Sequence, residues 1–251
     1  VLKRRMQIAE LIRSEREISI AELRTLFPDV SEMTLRRDLE YLEQQGQIVR
    51  VHGGAKSIEA IAGLVEEKYA QRSLQRSEEK NLIAAKAVEL LRPNMVVFID
   101  SGSTTTALSR LLPDLNLRIV TSGLTCALEL ARLHTSSVEV IGGELNHRSL
   151  STFGVGGLEQ LEHMNFDIAF LGATGFHLQR GFTTGLRADS ALKRKAIERS
   201  HQAVVLVDSS KVGKVYAYTF ARLEDVDVVV TDDGIDAEVV ETLQGKGIEV
   251  L

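Results

Sequence analysis

Apolar positions along the chain fall into two regimes. Up to about residue 56 they recur at helical spacing and end in one short alternating stretch. Ile8, Leu11 and Ile12 share one face of a first helix. Ser19 followed by Glu22 forms an S-x-x-E capping box ahead of Leu23, Leu26 and Phe27, and Pro28 ends that second helix. Ser31 caps a third, SEMTLRRDLEYLEQQG, which closes at Gly46. On it Leu35, Leu39 and Leu42 form the buried stripe, opposite Met33, Thr34, Arg37, Tyr41 and Gln44, with Arg36 on the flank. QIVRVHGGA then alternates with period two and reaches Gly53-Gly54, which permits a turn with positive φ. Two helices in tight sequence followed by a hairpin make a winged helix-turn-helix.

From about residue 77 the pattern changes. Short apolar runs at 95–99, 117–121, 138–141, 167–171, 203–207, 227–231 and 247–251 alternate with helical stretches. Such alternation predicts an α/β domain, a parallel-rich sheet covered by helices on both faces. Residues 57–76 follow neither pattern and read as a partly helical linker. The expected organisation is therefore 1–56 for the winged module, 57–76 for the linker and 77–251 for the α/β domain.

Composition narrows the classes. With 251 residues, 44% of them hydrophobic and 26% charged, the chain reads as soluble and globular. No apolar run approaches a membrane span, and no long apolar stretch follows the basic start. A single cysteine, Cys126, excludes an internal disulfide framework and fits a reducing cytoplasm. No Cys/His spacing suggests a metal, and no cofactor is expected. The net charge of −5 is unevenly spread. Residues 1–56 carry 10 basic and 9 acidic residues, and the remainder 20 and 26, so the module stands at +1 and the rest at −6. A local basic face on the module stays compatible with an acidic total.

The third helix would present Thr34, Arg36 and Arg37 to a major groove, where arginine suits guanine or phosphate. Two adjacent arginines alone equally fit a solvated surface helix. The wing, with Arg50 and His52 set against a backbone or minor groove, favours DNA.

In the second regime, VVFI runs into DSGSTTTAL at 100–108. A strand, a glycine turn and a helix N-terminus make an anion site, because the first helical N–H groups have no internal partner. Ser101, Ser103, Thr104 and Thr105 surround Gly102 with hydroxyls, more than capping requires. The Gly-Lys-Ser/Thr element of a P-loop is missing. Other turns follow strands: TSG at 121–123, GGE at 142–144, GATG at 172–175 and DSSKVGK at 208–214. Ligands bind at such carboxyl ends, where Asp208 and Lys211 would grip hydroxyls and phosphate. GFTTG at 181–185 and GELNHRSLSTFG at 143–154, with His147 and Arg148, read as mobile covering loops.

SEMTLRRDLEYLEQQGQIVRVHGGA resembles the DNA-binding signature of the DeoR family of bacterial sugar-metabolism repressors. EEKNLIAAKAVELL, VFIDSGSTTTAL, VIGGEL, LGATGF and LVDSSKVG resemble the same family's effector domain, so the likeness spans nearly the whole chain. The spacing of FPDVSE, with Pro28-Asp29 in the turn, departs from the family pattern. The resemblance implies that Ser31, Thr34, Arg36, Arg37, Arg50, His52 and Gly53 contact a double-stranded DNA operator. It implies a fold similar to ribose-5-phosphate isomerase and the CoA transferases, and a phosphorylated sugar as effector. The phosphate would lie at Ser101, Gly102, Ser103, Thr104 and Thr105, with the sugar near Asp100, Gly143, Asp208 and Lys211. The similar isomerases carry an acidic pair after the central strand; here that place reads LGATG, so a binding domain and not an enzyme is expected. A homodimer or homotetramer on repeated half-sites is the expected assembly.

Overall fold

The computed structural model describes residues 2–15, 17–45, 47–51, 53–57 and 68–251. Gly46, His52 and residues 58–67 of the expected linker lie outside the described residues. The chain divides into two compact units, residues 1–65 and 66–251.

The first unit runs α1 (Leu2–Glu15), β1 (Glu17–Ser19), α2 (Ile20–Leu26), α3 (Glu32–Gln44), β2 (Ile48–Val51) and β3 (Gly54–Ser57). The three strands form one antiparallel sheet in the order β1-β3-β2. The Ser19–Glu22 capping box opens α2, and Ser31 caps α3. Ile8, Ile12, Leu23, Leu35, Leu39, Leu42 and Ile48 build the core. Two features of α3 depart from the pattern reading. Asp38, a charged residue, is buried beside the leucines at 1% exposure. Tyr41, expected on the open face, is half-buried with the Arg5 guanidinium 3.9 Å from its ring centre.

The second unit begins with α4 (Tyr69–Leu74), α5 (Ser77–Val88), β4 (Val96–Ile99), α6 (Ser103–Leu111), β5 (Arg118–Thr121), α7 (Leu124–Leu130) and β6 (Ser137–Val140). It continues with β7 (Glu144–Asn146), β8 (Ser151–Phe153), α8 (Val155–Glu162), β9 (Phe166–Gly172), β10 (Gly175–His177), β11 (Gly181–Thr184), α9 (Arg187–Glu198) and β12 (Ser200–Leu206). It ends with β13 (Tyr218–Ala221), β14 (Val228–Val230), α10 (Ala237–Gly245) and β15 (Glu249–Val250). A parallel seven-stranded sheet, ordered β15-β14-β12-β9-β4-β5-β6, holds a strand from each of the seven expected runs.

Both faces of this sheet are dry. Val97 and Ile99 of β4 join Ile168 and Phe170 of β9 under α5, α6 and α7. Phe98, Ala169, Leu171 and Val205 face the other way, under α8, α9 and α10. Burial on both sides explains why the strands read as unbroken apolar runs.

Two stretches read as loops are strands. GFTTG is β11, buried throughout and paired with β10 and β13. GELNHRSLSTFG is the β7–β8 hairpin. Their Gly, Thr and Ser content mimics loop composition, while cross-strand pairing decides their state.

Candidate functional site

Strand order selects which turns meet. From β4 the chain steps outward to β5, while from β9 it steps the other way to β12. The reversal opens a crevice outside the carboxyl ends of β4, β9 and β12. Into it come Ser101–Thr105 after β4, Gly172–Thr174 at the end of β9, and Asp208, Ser210 and Lys211 after β12. Arg72 of α4, Gln75, Arg76 and Lys80 of α5 close one side, and Lys193 of α9 reaches in. The cleft measures about 570 Å³ with its open mouth included.

Gly102 is the N-cap of α6, at φ +147°, and no side chain caps that helix end. Its first-turn N–H groups point at the cleft with the positive end of the helix dipole behind them. Thr105 turns away: it is buried and its hydroxyl donates to Gly102 O at 3.0 Å. Thr106 does the same at 2.6 Å. Ser101, Ser103 and Thr104 are the hydroxyl residues of the turn that remain partly exposed.

Asp208 caps the 3-10 turn Ser209–Lys211, accepting from Ser210 N at 3.2 Å. Its carboxylate is therefore tied into the loop, with Lys211 next to it on the cleft wall.

Asp100 lies beneath the cleft and is fully buried. Its Oδ2 accepts from Lys193 Nζ and from Gly172 N at 3.0 Å. Lys193 also donates to Gly172 O at 3.1 Å and faces Asp189 at 3.5 Å. Burial pushes the Asp100 carboxyl upward, and the Lys193 ammonium pulls it back. One cation sits between two carboxylates, so this group carries net negative charge.

Lys80 shows the opposite surroundings. Its Nζ donates to the carbonyls of Arg72 and, at 2.5 Å, Gln75. Burial lowers it to about 8, with Asp208 opposing. An anion would restore the charged form here. Arg76, which pairs with Glu79 at 2.8 Å, stands in the left-handed region at φ 52°, holding the corner between α4 and α5.

Not every expected residue arrives. Gly143 does not line the cleft; it packs in the β7–β8 hairpin, where an added Cβ would stand 2.3 Å from Phe153 O. Arg72, Arg76, Lys80 and Lys193 were not expected. Arg72, Lys80 and Lys193 sit on helices and Arg76 at the corner between two of them, where a lone basic residue carries no positional signal until the sheet order is known. Gly172, Ala173 and Thr174 bring no carboxylate to the cleft.

In the first unit, Ser31 Oγ accepts from Thr34 N at 3.3 Å and lies 2.9 Å from Thr34 Oγ1. Arg36 binds Glu32 through Nε and Nη2 at 3.1 and 2.9 Å, and Arg24 approaches the same carboxylate at 3.4 Å. Arg37 is exposed and makes no ion pair among the described residues. Arg50 is held by Glu43 at 2.7 Å, and exposed Gly53 turns the wing at φ +84°. His52 lies outside the described residues.

Asp38 completes this unit. It accepts from Arg4 Nε at 2.6 Å and Arg5 Nε at 2.7 Å, which ties α1 to the back of α3. Burial opposes its ionisation, yet the two guanidinium groups hold it below the usual carboxylate range.

A winged helix-turn-helix joined to an α/β unit with a polar cleft at its switch point defines a two-part transcriptional regulator. The chain belongs to the DeoR family. Residues 4–60 match the DeoR-like helix-turn-helix domain, and residues 75–233 match the DeoR C-terminal sensor domain. The HTH-type transcriptional regulator YulB of Bacillus subtilis (strain 168) is 33% identical over 250 residues, covering 100% of this chain and 96% of that one. The HTH-type transcriptional repressor GlcR of the same organism is 29% identical, covering 99% and 95%. Ribose 5-phosphate isomerase A of Methanocaldococcus jannaschii aligns with 56% of each chain at 20% identity and a TM-score of 0.42. Both of these relatives, YulB and GlcR, are named as a regulator or a repressor, and this chain shares their two-domain DeoR organisation. No helix among the described residues is long and apolar enough to cross a membrane.

Proposed function

We propose that this protein is a cytoplasmic repressor of a sugar-metabolism operon whose grip on its operator is set by a phosphorylated sugar. The observation that carries the reading is the uncapped N-terminus of α6 facing Lys80 and Lys211 across one cleft. A phosphate there meets helix N–H groups, the Ser101, Ser103 and Thr104 hydroxyls, and cations from α4, α5 and the β12 loop. Asp208 and the Gly172–Thr174 backbone face the sugar hydroxyls. Asp100 acts from below through Lys193.

In the first unit, α3 enters the major groove with Thr34, Arg36 and Arg37. Ser31, Arg50, His52 and Gly53 stand at the flanking backbone. The assembly is a homodimer or homotetramer, so that paired half-sites are read together. Control follows linkage: the phosphorylated sugar binds the two DNA-binding states unequally, and DNA weakens sugar binding by the same factor.

The test is a thermal-shift screen against phosphorylated sugars, their unphosphorylated parents and inorganic phosphate, followed by operator-binding anisotropy with any hit. One phosphosugar that raises the midpoint and changes operator affinity is the expected result. A folded protein that responds to no phosphorylated compound defeats the phosphate reading.

A further inference from the structure

The first two turns of α3 hold six side chains that could meet base edges, and the structure divides them. Ser31 and Thr34 spend their hydroxyls on each other and on the helix N-terminus. Glu32 is shared by Arg36 and Arg24. Arg36 stands on the flank of the helix, paired with Glu32 one turn back, which sets its guanidinium toward a phosphate position. Met33 and Arg37 remain.

Met33 is 62% exposed and belongs to no part of the apolar core. Leaving a large thioether in water on a face otherwise polar gives the folded chain nothing. Arg37 is exposed and unpaired among the described residues. The two are four residues apart, so they stack on one face, separated by about 40° around the helix and roughly 6 Å along it. The apolar group that DNA offers in the major groove is the thymine C5-methyl, and the commonest partner of arginine is the O6/N7 edge of guanine.

We infer that Met33 and Arg37 are the specificity-determining residues of the reading helix: Met33 packs on a thymine methyl and Arg37 binds a guanine within about two base-pair steps of it. Arg36 then contributes affinity without sequence preference. The inference rests on the operator-binding reading above.

The experiment is selection of bound duplexes from a randomised pool by the full-length protein, followed by affinity measurements on the selected sequence. Each thymine in turn is replaced by deoxyuridine, which lacks only the methyl. In the wild type one such replacement per half-site is expected to weaken binding about fourfold, the effect of losing one buried methyl contact. With Met33→Ala the same replacement changes nothing. Arg37→Ala flattens the preference for guanine at one nearby position by about tenfold, whereas Arg36→Ala weakens all sequences alike. Met33 and Arg37 are exposed, so their variants keep the wild-type thermal midpoint. A consensus whose affinity ignores every deoxyuridine, or falls equally in wild type and Met33→Ala, overturns the inference alone. A wild type that enriches no sequence overturns the operator-binding reading and the inference with it.

Discussion

The two units bury charge in mirror-image fashion. In the DNA-binding unit one carboxylate, Asp38, sits between two arginines whose side chains keep 22% and 23% exposure. In the sensor unit one ammonium, Lys193, sits between two carboxylates, and its contact with Asp100 is dry. The first arrangement leaves net positive charge near the surface of a unit that meets DNA phosphates. The second leaves net negative charge beneath the cleft. Lys193 is therefore already neutralised, although it lines the site. Attraction for an anion must come from the mouth: the α6 N-terminus, Arg72, Lys80 and Lys211, since Arg76 is paired with Glu79. A basic residue in a pocket is not automatically a ligand for an anion; its own counter-ions decide.

The largest effect is expected at Lys193. Lys193→Met leaves the buried Asp100 without its counter-charge and is expected to destabilise the sensor unit by about 3–5 kcal/mol. Native-state hydrogen exchange should register the loss in residues 68–251 and leave the first unit unchanged. A loss below about 1 kcal/mol would show that the buried pair is not a main support. Asp38→Ala is expected to weaken the first unit by about 2 kcal/mol, by removing two charge-assisted hydrogen bonds. Because the arginine arms reach water, added salt should shrink that difference more than it shrinks the Lys193 effect. Ser31→Ala, which deletes the cap of α3, should lower the same unit's stability by about 1 kcal/mol.

The finest distinction is at Lys80, and pH reads it. The folded chain holds this ammonium at about 8, against an ordinary 10.5. Between those values the unfolded chain carries a proton that the folded chain lacks. Stability contributed at Lys80 thus rises with pH from about 8 to 10.5 and is lowest below 8. Inorganic phosphate should show the reverse trend, binding less tightly as pH climbs through 8 and the ammonium is lost. Lys80→Met should flatten both slopes, measured by urea titration and by calorimetry. Slopes unchanged in the variant would place the titrating group elsewhere in the cleft.

Much of this was legible before any fold was known. The Ser19–Glu22 box and the Ser31 cap are local, since each joins residues three apart. The central strands were legible because burial on both faces demands unbroken apolar runs. The strands β10, β11 and β13 were not, because Gly and Thr buried by pairing look the same in sequence as Gly and Thr in a loop. Lys193 and Lys80 were equally hidden, since each is one of several charged residues in its helix, RADSALKRKAIE or SEEKNLIAAKAV, and nothing local marks it for burial. Asp38 hid for the same reason, standing in a run of charges beside Arg37.

Neighbours along the chain settle helix starts and stops, the period of each element, the wing, and a strand–turn–helix able to receive an anion. Tertiary structure alone decided that β4, β9 and β12, separated by some 70 and 30 residues, lie side by side. Burying two faces of one sheet under right-handed crossovers restricts strand order, and no local pattern encodes it. That order carried Ser101, Gly172 and Lys211 to one crevice, sent Gly143 elsewhere, and set Lys193 between two acids beneath it.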